Sequence, residues 1–181
     1  MTALPNPQEL DHQLSLVMRV VEQRTLSFMR DEFGLEPIGL DRQVREGKNV
    51  VLRPITAIVG VGTKAGLYIA YSYDVSLIRA MTKIYAGALD YAADEEEIYI
   101  RDTASDVVNV IIGNSTADLA SRGELITLSP PVLMVGARTI QSRDATKVAA
   151  LTARFAEGAL DVAFVSPKML FDQNLNYRGA A

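Results

Sequence analysis

The sequence lacks most of the residues that nucleophilic and metal-dependent catalysis uses. It contains no cysteine and a single histidine, His12, among 181 residues. The absence of cysteine excludes disulfides and thiolate chemistry, and it fits a cytoplasmic protein. One histidine leaves no basis for a histidine-rich metal site and little for a His–Asp couple. We therefore predict no metal site in the chain itself, and we expect His12 to be a surface or boundary residue of the first helix.

Basic clusters and long apolar runs are also missing. The net charge is −4, from 18 basic and 22 acidic side chains, which argues against binding of DNA or RNA through phosphates. No apolar stretch approaches the roughly 20 residues of a membrane span. Residues 1–7 lack the charged-then-apolar order of a signal peptide. We expect a cytoplasmic protein without a nucleic-acid or membrane partner.

The first half of the chain predicts a long helix followed by strands. The helix spans residues 7–33 and ends at Gly34, a typical end residue. Residues 35–49 are mixed and charged, so we expect a connection with room for one short strand. β-Branched and alternating residues over 50–61 and 67–73 then predict an antiparallel hairpin.

Two further helices follow, and each is predicted to start at an acidic cap. Asp74 is expected to cap a helix that runs to about Ala86. The apolar spacing predicts a buried side made of Leu77, Ile78, Met81, Ile84 and Tyr85. Asp94 is expected to cap the third helix, with Glu97 as its capping-box partner, and Gly123 is expected to end it.

The last part of the chain predicts a second group of antiparallel strands. Pro130 and Pro131 demand a kink or an edge position, since proline cannot donate to a sheet. Strands over 147–155 and 159–165 follow. Each half thus offers a long helix and then a strand group, which predicts an α+β fold with an antiparallel sheet, long helices and two pseudo-repeated halves.

We divide the chain into one domain and two tails. Residues 7–166 form the single α+β domain, after an N-terminal tail over residues 1–6. The C-terminal tail, residues 167–181, is polar. It is expected to be partly disordered or to pack as one short turn around residues 169–171.

One stretch inside the third helix, residues 101–114, has two contrasting faces. At 100° per residue, one face is an almost wholly apolar arc of Ala104, Val107, Val108, Ile111, Ile112, Ser115 and Leu119. The opposite face collects Asp102, Ser105, Asp106, Asn109, Gly113 and Thr116. Asp106 and Asn109, three residues apart, therefore stand side by side where water or a partner can reach them.

Two residues on that polar face are poor choices for an ordinary solvated helix. Asn109 competes with the backbone for hydrogen bonds. Gly113 costs about 0.5–1 kcal/mol relative to alanine inside a helix, and its missing side chain lets another molecule come close. The helix alone fits either a plain wet face or a contact site.

The spacing of this stretch resembles a motif of the CheC/CheX family of chemotaxis phosphatases. That motif is an acid or serine, three residues, glutamate, two residues, asparagine and, about twenty-one residues later, proline. Here Asp102, Asp106, Asn109 and Pro131 stand at those positions, and Gly113-Asn114 is similar to the family's Gly-Asn. The resemblance covers most of residues 15–165 and implies a CheC-like fold. Asp106 departs from the family's glutamate: the charge is kept on a shorter side chain.

The family resemblance also bears on the number of sites. CheC carries a second copy of the motif on its first helix. The corresponding region here contains Glu22 but has no asparagine three residues on. The chain thus resembles CheX, with one site per subunit, and this resemblance implies a homodimer.

Proteins of this family hydrolyse the aspartyl-phosphate of response-regulator receiver domains such as CheY. The resemblance implies that Asn109 positions the attacking water and that Asp106 pairs with the receiver's lysine, while the receiver supplies Mg²⁺ and the chain needs no cofactor of its own. Gly113 would admit the receiver backbone, and Asp102 and Ser105 would hydrogen-bond at the rim. Asn114 and Pro131 would be structural parts of the motif, with Pro131 shaping the strand beside the helix.

Two alternatives to a phosphatase remain open at the level of sequence. A domain of the same fold whose Asp106 is too short for turnover would bind a receiver without speeding phosphate loss. A structural dimerisation domain would show no receiver affinity.

Overall fold

The computed structural model describes residues 7–62, 67–87, 91, 92, 94–123, 127–165 and 176–179. Within them, the helices are α1 (Pro7–Phe33), α2 (Val75–Ala86) and α3 (Glu96–Ala120). The strands are β1 (Gly39–Val51), β2 (Ile55–Gly62), β3 (Leu67–Tyr73), β4 (Thr127–Leu128), β5 (Val132–Val135), β6 (Ala137–Phe155), β7 (Gly158–Val165) and β8 (Asn176–Gly179). The predicted tail over 1–6 and the predicted turn over 169–171 lie outside the described residues.

All of these strands join one antiparallel sheet in the order β1-β6-β7-β3-β2-β4, with β5 also on β2 and β8 on β6. The first half of the chain supplies β1, β2 and β3, and the second half supplies β5, β6 and β7. β7 and β3 meet at the centre of the sheet, and each half places its first strand beside the other half, β1 on β6 and β5 on β2. Each set follows a long helix, α1 or α3. The predicted α+β fold with two pseudo-repeated halves is confirmed.

The helices cover one face of the sheet and bury the larger core against it. Strand alternation sends neighbouring residues to opposite sides. Val59 of β2 joins the core under the helices, whereas Ile58 joins a smaller apolar cluster on the other face. In the larger core the hydroxyl of Tyr71 lies 2.9 Å from that of Thr25, which also donates to the Val21 carbonyl. This buried contact ties α1 to the middle of the sheet.

The charged segment after α1 is a long strand, so the prediction of a connection there was wrong. β1 pairs with β6 from Gly39 opposite Arg154 onward and lies at the edge of the sheet. Arg42 donates to Glu22 on α1, so one charge of the strand has a partner in the helix layer. Charged side chains are common on edge strands, where they discourage pairing with other chains.

The ends of the second half also differ from prediction. β6 begins at Ala137, well before the predicted strand over 147–155, and it pairs with β1 along much of its length. The predicted C-terminal tail contributes β8, which pairs with the first part of β6.

Among the described residues, no helix is long and apolar enough to cross a membrane.

Asp74 stands at the start of α2 as predicted, but its side chain does not cap the helix. Instead Oδ1 accepts a hydrogen bond from Arg53 at 2.7 Å, and Oδ2 accepts one from the Ala159 amide at 2.8 Å. The Arg53 guanidinium also lies 2.7 Å from the carboxylate of Asp161, which accepts from Thr152 as well. Arg53 therefore joins the β1–β2 connection to α2 and β7.

The start of α3 likewise lacks a side-chain cap. The helix begins after Glu95, so the prediction that Asp94 and Glu97 form a capping box was wrong. Glu97 pairs with Arg101 one turn along, and Glu96 pairs with Arg79 of α2 at 3.0 Å. The acids remain favourable at the positive end of the helix. The other end of α3 is tied to α1, where the Arg24 guanidinium contacts both carboxylate oxygens of Asp118 at 2.6 Å.

Candidate functional site

The two faces of α3 are those that the sequence predicted. All seven residues of the apolar arc are buried: Ala104, Val107, Val108, Ile111, Ile112, Ser115 and Leu119. Because this arc is anchored in the main core, the opposite face is held in a fixed direction, toward solvent. We call Asp102, Asp106, Asn109, Val110 and Gly113, all of them exposed, the outer face of α3.

Asp106 and Asn109 both lie on this outer face, with their backbones inside a continuous helix. Among the described residues, no side chain makes a hydrogen bond or an ion pair with either of them. A carboxylate accepts hydrogen bonds, and an amide both donates and accepts them. The pair is thus free to bind a charged group and a water molecule on an approaching partner.

The predicted rim residues lie next to this pair: Asp102 is exposed one turn before Asp106, and Ser105 is half-buried beside it. Asn114, predicted as a structural part of the motif, is exposed one turn beyond Val110. Gly113 has open space where a side chain would start, since no atom of the described structure lies within 4 Å of an added Cβ. The glycine therefore has no packing role in the chain itself.

Val110 and Tyr85 give the site an apolar component that the sequence reading missed. Val110 is 41% exposed, although the opposite face of α3 is buried in the main core. Tyr85 was predicted on the buried side of α2 together with Ile84, but these side chains are 41% and 45% exposed. The main core ends before the last turn of α2, so the apolar stripe of the helix continues into solvent.

Tyr85 lies in the last turn of α2, a helix that packs against α3, and it contacts the end of α1. Its ring contacts that of Phe33, the last residue of α1, with centroids 4.7 Å apart. Partial burial raises the pKa of the Tyr85 phenol, and the negative charges of Glu32 and Asp106 raise that pKa further.

The equivalent helix of the first half does not present such a pair. Glu22 on α1 is engaged by Arg42 of β1. Three residues later, Thr25 is buried and bonds to Tyr71 instead of facing solvent. Within the described part of the chain, α1 thus repeats the position of α3 but not its free carboxylate and amide.

Pro131 directly precedes β5, at the end of the sheet, where the sequence predicted a kink or an edge position for the two prolines. The segment Ser129–Pro131 separates β4 from β5, and both strands pair with β2. Ser129 bridges the gap, because its hydroxyl accepts from the Gly60 amide at 2.8 Å and its own amide donates to the Gly60 carbonyl at 2.9 Å. β5 contacts α3, so this break borders the helix that carries the site.

Metal coordination is not part of the arrangement that the structure describes. Across the described residues, no group of three or more histidine, cysteine, aspartate or glutamate side chains is placed to hold a metal ion. The outer face of α3 instead offers the carboxylates of Asp102 and Asp106 and the amide of Asn109, none of them engaged by another described residue.

Comparison of this chain with known proteins gives structural matches alone. No protein-family model and no curated protein matches the sequence. Chemotaxis protein CheX from Desulfovibrio desulfuricans aligns with a TM-score of 0.69 at 19% identity, over 83% of this chain and 99% of that one. A CheC-like superfamily protein from Shewanella sp. PV-4 gives a TM-score of 0.66 at 14% identity, over 83% and 96%.

A third match is a complex. The structure of CheX with CheY, BeF₃ and Mg²⁺ from Borrelia burgdorferi aligns with a TM-score of 0.61 at 17% identity, over 83% of this chain and 96% of that chain. Identities this low establish the fold and leave the activity open. The chain has the α+β fold of the CheX and CheC-like chemotaxis proteins.

Proposed function

We propose that this protein is a CheX-like phosphatase that hydrolyses the aspartyl-phosphate of a CheY-like receiver domain. The observation that carries the proposal is the pair of Asp106 and Asn109, exposed and unengaged on one face of α3 in a chain with the CheX fold. Their spacing to Gly113, Asn114 and Pro131 supports it, since it follows the family motif.

The chemistry requires little of the phosphatase itself. An acyl phosphate is already activated, and the receiver supplies Mg²⁺ and a lysine, so the chain needs no cofactor of its own. Asn109 would accept a hydrogen bond from the attacking water and hold it in line with the bond to be broken. The water oxygen then bonds to phosphorus, the bond from phosphorus to the aspartyl oxygen breaks, and the receiver carboxylate and inorganic phosphate are released.

Asp106 would fix the docking by pairing with the receiver's lysine. In the free protein such an exposed carboxylate contributes little, because water screens it. Once the partner covers the outer face of α3, the same ion pair strengthens and selects the register in which Asn109 reaches the phosphoryl group.

The partner class and the assembly belong to the same proposal. A CheX protein of this fold is known in complex with CheY, which supports a CheY-like receiver as the partner. We include a homodimer and a cytoplasmic location. Ile38 and Val44 are 74% and 64% exposed beside or on the edge strand β1, which offers apolar area to a second subunit.

The direct test is phosphate release from a panel of ³²P-labelled receiver domains with and without this protein. The proposal expects at least one receiver to lose its phosphoryl group faster in the presence of catalytic amounts of protein. Equal decay with and without the protein across receivers that do bind it would instead favour a binding module.

Asp106 separates turnover from binding alone. In the proposed phosphatase, Asp106→Asn keeps the shape but removes the charge, and we expect the KM for the phosphorylated receiver to rise about tenfold or more. Asp106→Glu keeps the charge and should retain activity. A wild-type protein that binds but is inactive, together with an active Asp106→Glu variant, would contradict the proposal and identify a weakened enzyme.

Gly113 should show opposite effects on stability and activity. Gly113→Ala is expected to raise the free energy of unfolding by about 0.5–1 kcal/mol, because it favours the helix and meets no neighbouring atom. Gly113→Leu should fold equally well yet slow receiver dephosphorylation, because its side chain fills the space left for the partner. Urea unfolding and phosphate release measure the two effects, and Gln23→Leu on α1 is the control for an added apolar side chain.

A further inference from the structure

We propose that Tyr85 is a further receiver-contacting residue, which determines affinity for the docked receiver beside Asp106 and Asn109. This inference rests on the proposed function. It assigns to the end of α2 a part of the interface that the motif on α3 does not contain.

The position of Tyr85 is fixed by packing. It follows Ile78 and Met81 along the apolar stripe of α2, and those two residues are fully buried in the main core. Its ring lies on Phe33, which in turn makes an edge contact with Phe28 at 5.8 Å between centroids. The ring thus packs against α1, while 41% of Tyr85 remains exposed.

Tyr85 belongs to a helix that packs directly against α3, which carries the functional pair, and its ring contacts the last residue of α1. The negative charges of Glu32, at the end of α1, and of Asp106, on the outer face of α3, raise the pKa of its phenol, which agrees with a position next to both helices. Among the described residues, the Tyr85 hydroxyl has no hydrogen-bond partner. An anchored aromatic ring with an unused hydroxyl costs little conformational entropy to bind, and tyrosine is enriched among residues that dominate interface affinity.

Val110 adds an apolar side chain on α3 itself. It lies one turn beyond Asp106 and directly after Asn109, and it is 41% exposed, so the functional pair has an apolar neighbour that a partner can reach. Apolar contact at this point would exclude water from the ion pair that Asp106 makes with the receiver lysine. The partner that fits is a receiver surface with apolar side chains next to its lysine and phosphorylation pocket.

The test compares binding with turnover for Tyr85→Ala and Tyr85→Phe, using the receiver that responds in the panel. Binding is measured with that receiver loaded with beryllofluoride and Mg²⁺. We expect Tyr85→Ala to raise both Kd and KM about tenfold and to leave kcat within about twofold, as for a contact worth roughly 1.4 kcal/mol. Tyr85→Phe keeps the ring and should recover most of the affinity. Tyr68→Phe, on the other face of the sheet, is the matched control and should bind as the wild type does.

Several outcomes would overturn the inference. Tyr85→Ala with an unchanged Kd would show that the ring does not contact the receiver. A lower kcat of Tyr85→Ala at an unchanged Kd would point to a structural role. Equal losses of receiver affinity in Tyr85→Phe and Tyr68→Phe would point to the same role. If Asn109→Ala is inactive while Tyr85→Ala behaves as the wild type, this inference fails alone. If no receiver responds, or if Asn109→Ala remains fully active, the proposed function fails with it.

Discussion

Replacing Asn109 with alanine is expected to reduce stimulated dephosphorylation of the receiver by about 100-fold or more, which is the range for removal of a group that orients the reacting water. The amide has no role in the fold, because it is exposed and engages no described residue. The loss should therefore appear in kcat, with the Kd for a beryllofluoride-loaded receiver close to the wild-type value. Single-turnover phosphate release measures this effect.

The matched control for Asn109→Ala is Gln23→Ala, which removes an exposed amide from α1. The control should have wild-type turnover, and both variants should show the thermal unfolding of the parent protein. Full activity of Asn109→Ala in a folded protein would contradict the water-positioning role, whatever else the chain binds.

Replacing Arg53 with alanine is expected to lower the free energy of unfolding by about 2–4 kcal/mol, the largest effect we expect from a single charged residue. Arg53 is 25% exposed and pairs with Asp74 and Asp161. Its removal leaves two carboxylates facing each other without a cation. Because Asp74 also holds the Ala159 amide, the loss would reach the junction of α2 with the β6–β7 turn.

Urea unfolding at a fixed protein concentration measures the Arg53 effect. Arg30→Ala is the control, since within the described residues the Arg30 guanidinium pairs with its exposed neighbour Asp31 alone and should contribute less than about 1 kcal/mol. Equal free energies of unfolding for the two variants would show that the network of Arg53, Asp74 and Asp161 stabilises the fold no more than one exposed ion pair does.

Residue spacing predicted the helices well because each buries an apolar stripe, and α1 and α2 end directly before a glycine, whereas α3 ends at Ala120, before the predicted Gly123. α1 ends at Phe33, and Gly34 adopts the positive φ of 65° that the end of a helix favours. The apolar arc of α3 was predicted residue by residue. The placement of Asp106 and Asn109 on the outer face follows from the same period, since burying one face of a helix fixes the other.

Long-range partners explain what the sequence did not predict. Asp74 had the identity and position of a cap, but Arg53, from a distant connection, takes its carboxylate. β1 contains so many charges that its local pattern resembles a loop, and its partner β6 lies far along the chain. The exposure of Tyr85 depends on where the core ends, which the period of α2 alone does not encode.

The interleaved halves bear on how a cell makes this protein. Among the described strands β1 pairs with β6 alone, and β3 has β7 on its second side. During synthesis the early edge strand, with Ile38 and Val44 uncovered, must wait until β6, which follows α2 and α3 in the chain, has left the ribosome. Such pairing between remote segments slows folding relative to folds with local contacts. Until β6 is available, the first half of the chain therefore presents an unpaired strand edge with two exposed apolar side chains, the kind of surface on which aggregation begins.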